Sequence, residues 1–284
     1  MNSEIILLTK NYQEDELKCW LDWHLNIINV NKITIFDNES EIDIRSLCHA
    51  YGDRVSYNYI SGWPNQYKLY NDYINTSKSD WILPIDDDEY LYIGKEYSND
   101  CNTFIKSFYS KYHKNKCYIM WLNLFSKEYQ KEKSDLFINT HTFYSYEACN
   151  NMSTVWKQDN GYGKCFFRNQ DGLKYEYRLF GRRWVGHSPK CLNGDDDLLT
   201  SNGIKREEDR VVNLNEIVDP SCFIAHYQFK NKRDWEIKCN RTRISTQKLN
   251  IRNKVFLYDL LYQYKETFKK CNLLKDIWDA YSKS

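Results

Sequence analysis

Short apolar runs recur between stretches of helical periodicity over the first 85 residues, and this alternation constrains the fold more than any other feature of the chain. Ile5-Ile6-Leu7-Leu8 opens the series, Lys32–Phe36 and Val55–Ile60 follow, and Trp81-Ile82-Leu83-Pro84-Ile85 closes it. Apolar runs of this length, broken off by polar residues, are strand signals. Between them, Glu14–Ile28 places Leu17, Trp20, Leu21, His24, Leu25 and Ile28 at helical spacing, and Ile42–Tyr51 and Gln66–Thr76 also read as helices. Strands separated by helices imply crossover connections, so the expected class is α/β with a mainly parallel central sheet flanked by helices. From about 126 to 220 the pattern is irregular, and 231–283 returns to helical periodicity. A single domain over 1–284 is expected, with an alternating strand–helix half to about 125, a loop-rich half to about 240 and C-terminal helices beyond.

In open α/β sheets, ligands bind in the crevice beyond the carboxyl ends of the strands. Those ends read Thr9-Lys10-Asn11, Asp37-Asn38 and Asp86-Asp87-Asp88-Glu89. Successive carboxylates repel one another, and a divalent cation relieves the repulsion. Asp86 and Asp88 have the spacing to address one Mg2+ or Mn2+, which would neutralise a departing diphosphate. A solvated acidic turn is the competing reading, and Asp195-Asp196-Asp197 is an example, since it follows the turn pair Asn193-Gly194 and no apolar strand. The acidic run at Asp86 instead follows a buried strand pattern. Further on, an apolar run ends in His226-Tyr227-Gln228-Phe229-Lys230. Neutral imidazole is a competent Mn2+ ligand, and a lysine suits phosphate as a point charge. A buried structural histidine is the alternative.

Composition narrows the classes further. With 40 Lys+Arg against 39 Asp+Glu and a net charge of +1, the chain lacks the basic excess of a nucleic-acid binder. A hydrophobic fraction of 42% and a charged fraction of 28% exclude wholesale disorder. The ten cysteines form no CxxC pair and no zinc-spaced cluster, so buried thiols in a reducing, cytoplasmic setting are expected. The N-terminal apolar run is too short for a signal peptide, and no stretch approaches the roughly 20 apolar residues of a membrane span. In that setting the sequons at Asn38, Asn75, Asn151 and Asn240 are chance matches. Aromatic residues make up 16% of the chain; they serve cores and also stack on sugars. Trp63, Trp121, Trp156 and Trp184 fall in expected loops on the side where a sugar would enter.

Several blocks, in order, resemble the glycosyltransferase family-2-like group and the related family 92 enzymes. LKCWLDWHLNIINVNKITIFDNES is similar to that group's opening block, and Trp81 to Leu91 is similar to its acidic block. His226-Tyr227-x-x-Lys230 with Trp235 and Lys238 resembles its last block, and Gln66, Tyr70-Asn71, Trp121–Phe125, Lys164–Arg168 and His187 lie between. The resemblance implies a GT-A (Rossmann-like) fold. It also implies metal-dependent transfer of a sugar from a UDP- or GDP-sugar to a glycan hydroxyl, with inversion. On that basis Thr9, Asn11, Asp37 and Asn38 line the nucleotide pocket, with Gln66, Asp87 and Lys164 counted among the substrate-binding residues. Asp86, Asp88 and His226 hold Mn2+ or Mg2+, and Lys230 faces the diphosphate. Trp121 and His187 lie near a sugar, and Glu89 orients the acidic turn or touches the donor. The chain departs from the group's pattern at Tyr12, at Ser126-Lys127-Glu128 and at Ala225, which bears on the acceptor. Candidates for the carboxylate base are Asp159, Glu147 and Asp196.

Two other classes gather similar residues. A metal-dependent phosphohydrolase or nuclease also sets carboxylates at strand ends but usually has a second metal cluster. A non-catalytic carbohydrate-binding module would use aromatic platforms and needs no acidic pair. Val255, Leu257, Leu260, Leu261 and Tyr264 lie at helical spacing near the C-terminus and are expected as packing surface, with a partner-binding or membrane-surface helix as the alternative.

Overall fold

The computed structural model describes residues 1–62, 64–149, 151, 163–170, 199–204, 219–239 and 256–283, together with the backbone of 173–180, 183–191 and 240. In chain order the first half holds β1 (Ser3–Thr9), α1 (Glu14–Asp22), β2 (Lys32–Asp37), α2 (Arg45–His49), β3 (Val55–Tyr59), α3 (Gln66–Ile74), β4 (Trp81–Pro84), β5 (Glu89–Ile93), α4 (Cys101–Tyr112) and β6 (Lys116–Asn123). The second half holds α5 (Phe137–Thr140), β7 (Phe143–Tyr144), β8 (Gly163–Arg168), β9 (Leu173–Phe180), β10 (Arg183–Cys191), β11 (Leu199–Thr200), β12 (Cys222–His226), α6 (Lys232–Asn240), α7 (Phe256–Gln263), β13 (Lys269–Lys270) and α8 (Leu273–Tyr281).

Eight strands form one path in the order β3-β2-β1-β4-β8-β6-β12-β5, with β11 paired to β6. β1 is buried along its whole length between β2 and β4, and both pairings are parallel. That accounts for a continuous apolar run in place of an alternating one. β8 is antiparallel to β4 and β6, and β5 is antiparallel to β12. The mainly parallel α/β sheet flanked by helices is therefore present, as expected for a GT-A fold, with two reversed strands.

β5 ends the path, so among the described residues one side of its backbone has no neighbouring strand. The helical segment starting at α1 covers it. Trp20 Nε1 donates to the Glu89 carbonyl at 2.8 Å, Trp23 Nε1 donates to the Leu91 carbonyl at 2.7 Å, and the Leu91 amide donates to His24 Nε2 at 3.1 Å. The other ring nitrogen of His24 lies 2.8 Å from the Trp20 carbonyl, which fixes the tautomer. Burial lowers the His24 pKa to about 3, so the ring stays neutral. The Trp-x-x-Trp-His spacing of the opening block is thus a latch on the edge strand beside the acidic turn.

Three readings change. The helix expected over Ile42–Tyr51 is confined to Arg45–His49, where the Asp43 carboxylate accepts the Arg45 amide at 2.9 Å. The irregular middle contains β8 and the β9–β10 hairpin, and Leu173–Phe180 has the alternation of a strand, which loop-like surroundings obscured. Trp121 and Trp184 lie in strands, β6 and β10, not in loops, while Trp63, Trp156 and Val255 lie outside the described residues. Leu257 and Leu261 are buried with Phe125, Phe229, Trp235 and Tyr258, so they serve as packing surface.

Candidate functional site

β1, β2, β4, β6 and β12 all point the same way, so Thr9, Asp37, the chain after Pro84, Asn123 and His226 reach one edge of the sheet. β8 and β5 run the opposite way, which brings their first residues, Gly163-Lys164 and Glu89, to that same edge. Strand direction alone thus gathers Asp37, the Asp86–Glu89 run, Lys164 and His226, which lie up to 189 positions apart in sequence (226 minus 37).

The acidic turn is held from several sides. The Asp86 amide donates to Glu89 Oε2 at 2.9 Å, and the Thr9 hydroxyl donates to Asp87 Oδ2 at 2.7 Å. The Asp88 carbonyl accepts the Tyr227 amide at 2.8 Å, which ties the turn to the segment after β12. Each carboxylate of the Asp86–Asp88 pair meets a lysine. Lys164 Nζ donates to Asp86 Oδ2 at 2.7 Å and stands 3.4 Å from Glu89 Oε2. Lys238 Nζ, from α6, donates to Asp88 Oδ2 at 2.7 Å. Trp121 lies between the two pairs, its ring 5.7 Å from Lys164 Nζ and 4.5 Å from the His226 ring.

Burial pushes the Asp88 carboxyl up, but Lys238 and then His226 outweigh it and hold the group well below the usual range. Burial lowers the His226 pKa against the pull of Asp88. Glu89 is raised to about 8, chiefly by burial and also by Asp86 and Asp88, while Lys164 opposes the rise. Burial lowers Lys164, yet Asp86 and Glu89 carry it above the ordinary lysine value. Two ion pairs result, Asp86–Lys164 and Asp88–Lys238, while burial favours the protonated form of Glu89 and the neutral form of His226. That arrangement balances a cluster which burial would otherwise penalise heavily.

The other expected residues divide between this edge and the scaffold around it. Asp37 is buried and already accepts Tyr57 Oη at 2.8 Å and the Ser40 amide at 3.1 Å. Asn38 donates to the carbonyls of Ile60 and Gly62, so it shapes the loop after β3. Asn11 is exposed at a φ of +56° and accepts the Glu41 amide at 2.7 Å. Gln66 donates to Tyr70 Oη at 3.4 Å, and that hydroxyl accepts the Leu8 amide at 3.1 Å. Lys230 Nζ sits over the rings of Tyr12 at 4.7 Å and Phe137 at 5.0 Å. His187 lies in β10 where the register shifts between Val185 and Ser188. Glu147 is exposed, and Asp159, Asp196 and the rest of the Asp195–Asp197 triplet lie outside the described residues.

Two features had no role assigned from sequence. Lys238 pairs with Asp88; its position between the buried Trp235 and Cys239 on α6 was the available signal. Glu16 is buried, accepts the Phe137 amide at 3.1 Å and stands 3.2 Å from Lys133 Nζ, which braces the ring beneath Lys230. No local pattern announces that contact, because its partners lie more than 115 positions apart (133 minus 16).

Among the described residues, no set of three or more His, Cys, Asp and Glu side chains is gathered to cage a metal ion alone. Asp88 Oδ1 and His226 Nε2 do face each other at 3.6 Å, and His226 Nδ1 is buried with no hydrogen-bond partner. Nε2 is the ring nitrogen that would meet an ion shared with Asp88 Oδ1, with the proton of the neutral ring on Nδ1. Two protein donors also suit a hard cation that takes the rest of its shell from water and substrate phosphate. Asp88 and His226 would hold such an ion, with Asp86 beside them.

No family model matches the chain, and no curated protein does. Among solved structures the chain is similar to S. aureus TarS, at 12% identity and a TM-score of 0.35 over 60% of this chain and 28% of that one. TarS 1–349 in complex with UDP matches at 12% identity and a TM-score of 0.33, over 60% of this chain and 47% of that one. TarS 1–349 in complex with UDP-GlcNAc matches at 14% identity and a TM-score of 0.35, over 64% and 51%. This chain thus spans between about a quarter and a half of the TarS chains it matches, a partial likeness in the arrangement of strands and helices.

Proposed function

We propose that this protein is a glycosyltransferase that moves a sugar from a UDP- or GDP-sugar to a hydroxyl of a glycan acceptor, with inversion and with Mn2+ or Mg2+ as cofactor. The observation behind this reading is the convergence of Asp86, Asp88, Glu89, Lys164 and His226 at one sheet edge beside Thr9 and Asp37. The ordered blocks that resemble the family-2-like and family-92-related enzymes support it. Bound at Asp88 and His226, the ion would neutralise charge on the leaving diphosphate. Lys230 adds positive charge on the same side, and Thr9 keeps Asp87 turned onto β1. Trp121, half-buried against His226, offers a face for a sugar ring. Asp159 and Asp196 stay the base candidates.

Thermal melts with UDP, GDP or TDP, each with Mn2+, test the donor site. A ligand bound to the folded state raises the melting temperature, and no shift with any of the three overturns the reading. Release of free nucleoside diphosphate from UDP- and GDP-sugars with Mn2+, lost in Asp88→Asn, separates a transferase from a binding module. Cleavage of simple phosphate esters instead would point to a phosphohydrolase.

A further inference from the structure

We infer that Lys238 is a built-in counter-ion for Asp88 which a divalent cation must displace in order to bind, so that this lysine sets the metal affinity of the free protein. The inference rests on the donor-site reading above and concerns regulation of that same site. Lys238 Nζ bonds to one oxygen of Asp88 at 2.7 Å, while the other oxygen faces His226 Nε2 at 3.6 Å. Ammonium and cation would therefore share a single carboxylate. Two positive charges drawn to one carboxylate repel each other, so each weakens the hold of the other.

The two lysines of the site differ in their access to water. The Lys164 side chain is 2% exposed and lies against Asp86, Glu89 and the Trp121 ring. The Lys238 side chain is 33% exposed, on a flexible stem with water within reach. Nor does α6 depend on Lys238 for its position. The amides of Lys232 and Arg233 donate to the carbonyls of Gln130 and Lys131, and the Asn231 side chain accepts the Asp234 amide at 2.9 Å. Trp235 packs on Phe229 with ring centroids 4.7 Å apart. The lysine can swing away while the helix stays in place.

The test measures Mn2+ binding without nucleotide, from the electron paramagnetic resonance of the free ion, on the wild type, Lys238→Met and Lys238→Arg. Circular dichroism and a melt accompany each protein. Removing the competitor is expected to tighten Mn2+ binding by up to about fivefold in Lys238→Met, the upper range for a part-exposed ion pair. Lys238→Arg keeps the charge and is expected to stay at or below the wild-type affinity. A purely structural lysine would lower the melting temperature without tightening Mn2+ binding. Equal or weaker Mn2+ binding in Lys238→Met overturns the inference and leaves the donor-site reading to its own UDP melt. Absence of Mn2+ binding by every variant overturns it as well. Should Lys238→Met fail to fold, Lys238→Gln removes the same charge with a polar side chain and carries the same expectation.

Discussion

Lys164 is an ammonium that the sheet has almost wholly removed from water, and two acidic side chains answer it at different distances. Asp86 is the closer at 2.7 Å and is itself 43% exposed; Glu89, at 3.4 Å, is fully buried. Removing only Asp86 also removes a charge that helps keep Glu89 protonated, so Glu89 can ionise and answer the same ammonium. Asp86→Asn should therefore cost only about 1–2 kcal/mol, of the order of a lost charged hydrogen bond. Asp86→Asn with Glu89→Gln strands the ammonium and should cost about 3–5 kcal/mol. The two changes share one partner, so their effects should not add. Urea denaturation of both singles and the double measures this; a double mutant equal to the sum of the singles would mean Glu89 is not the reserve partner. At this scale the sequence was legible where a polar residue ends an apolar run, as at Thr9, Asp37 and Asp86. It was not legible at Lys164, whose partner depends on the direction of β8. Tyr12, where the resembled family often has an acid, supplies the aromatic face over which Lys230 sits.

Elements place these residues, and their anchors can be tested one by one. The α3 helix is capped by Asn65, whose side chain accepts the amides of Tyr67 and Lys68 at 3.1 Å each, and α3 carries Tyr70 against β1. Asn65→Ala should cost about 1 kcal/mol, seen as a lowered melting temperature. Just after α5, the His141 Nε2–H donates to the Lys230 carbonyl at 2.6 Å and so fixes the segment that bears that lysine. Burial lowers the His141 pKa to about 4, against about 6.5 in an unfolded chain. Below pH 6.5 the unfolded chain takes up a proton that the fold refuses. Stability is then lost as pH falls toward 4, by up to about 1.4 kcal/mol per pH unit for this one group. His141→Gln should weaken the fall in urea midpoint between pH 7 and pH 5; an identical fall would remove His141 from the acid response. The parallel strands could be read because burial on both faces makes them continuously apolar. β9 could not, because period-two alternation in a Tyr- and Lys-rich stretch looks like ordinary surface, and the reversal of β5 and β8 could not, because an apolar run carries no mark of its direction.

Across the whole molecule the charge nearly cancels, and positive charge for the proposed diphosphate is local: Lys164, Lys230 and Lys238 at one edge. Among the described residues the core behind that edge forms three apolar clusters, and each contains a buried cysteine: Cys117 in the first, Cys165 in the second and Cys239 in the third. Burial raises the Cys117 thiol well above its ordinary pKa, so attack by a disulfide reagent needs both opening and deprotonation. Cys239 adjoins Lys238, and its cluster includes the α7 side chains Leu257, Tyr258 and Leu261. If the three clusters open only together, a ligand at the sheet edge protects all three thiols alike. UDP with Mn2+ at 100 times its dissociation constant should then slow labelling of each by about 100-fold. If the third cluster opens separately, Cys239 should label at an unchanged rate while Cys117 and Cys165 are slowed. Mass-resolved thiol labelling with and without UDP and Mn2+ distinguishes the two. Equal protection is expected, because Phe125 and Phe229 of the third cluster lie only two and three residues beyond β6 and β12, the strands that bring Asn123 and His226 to the sheet edge.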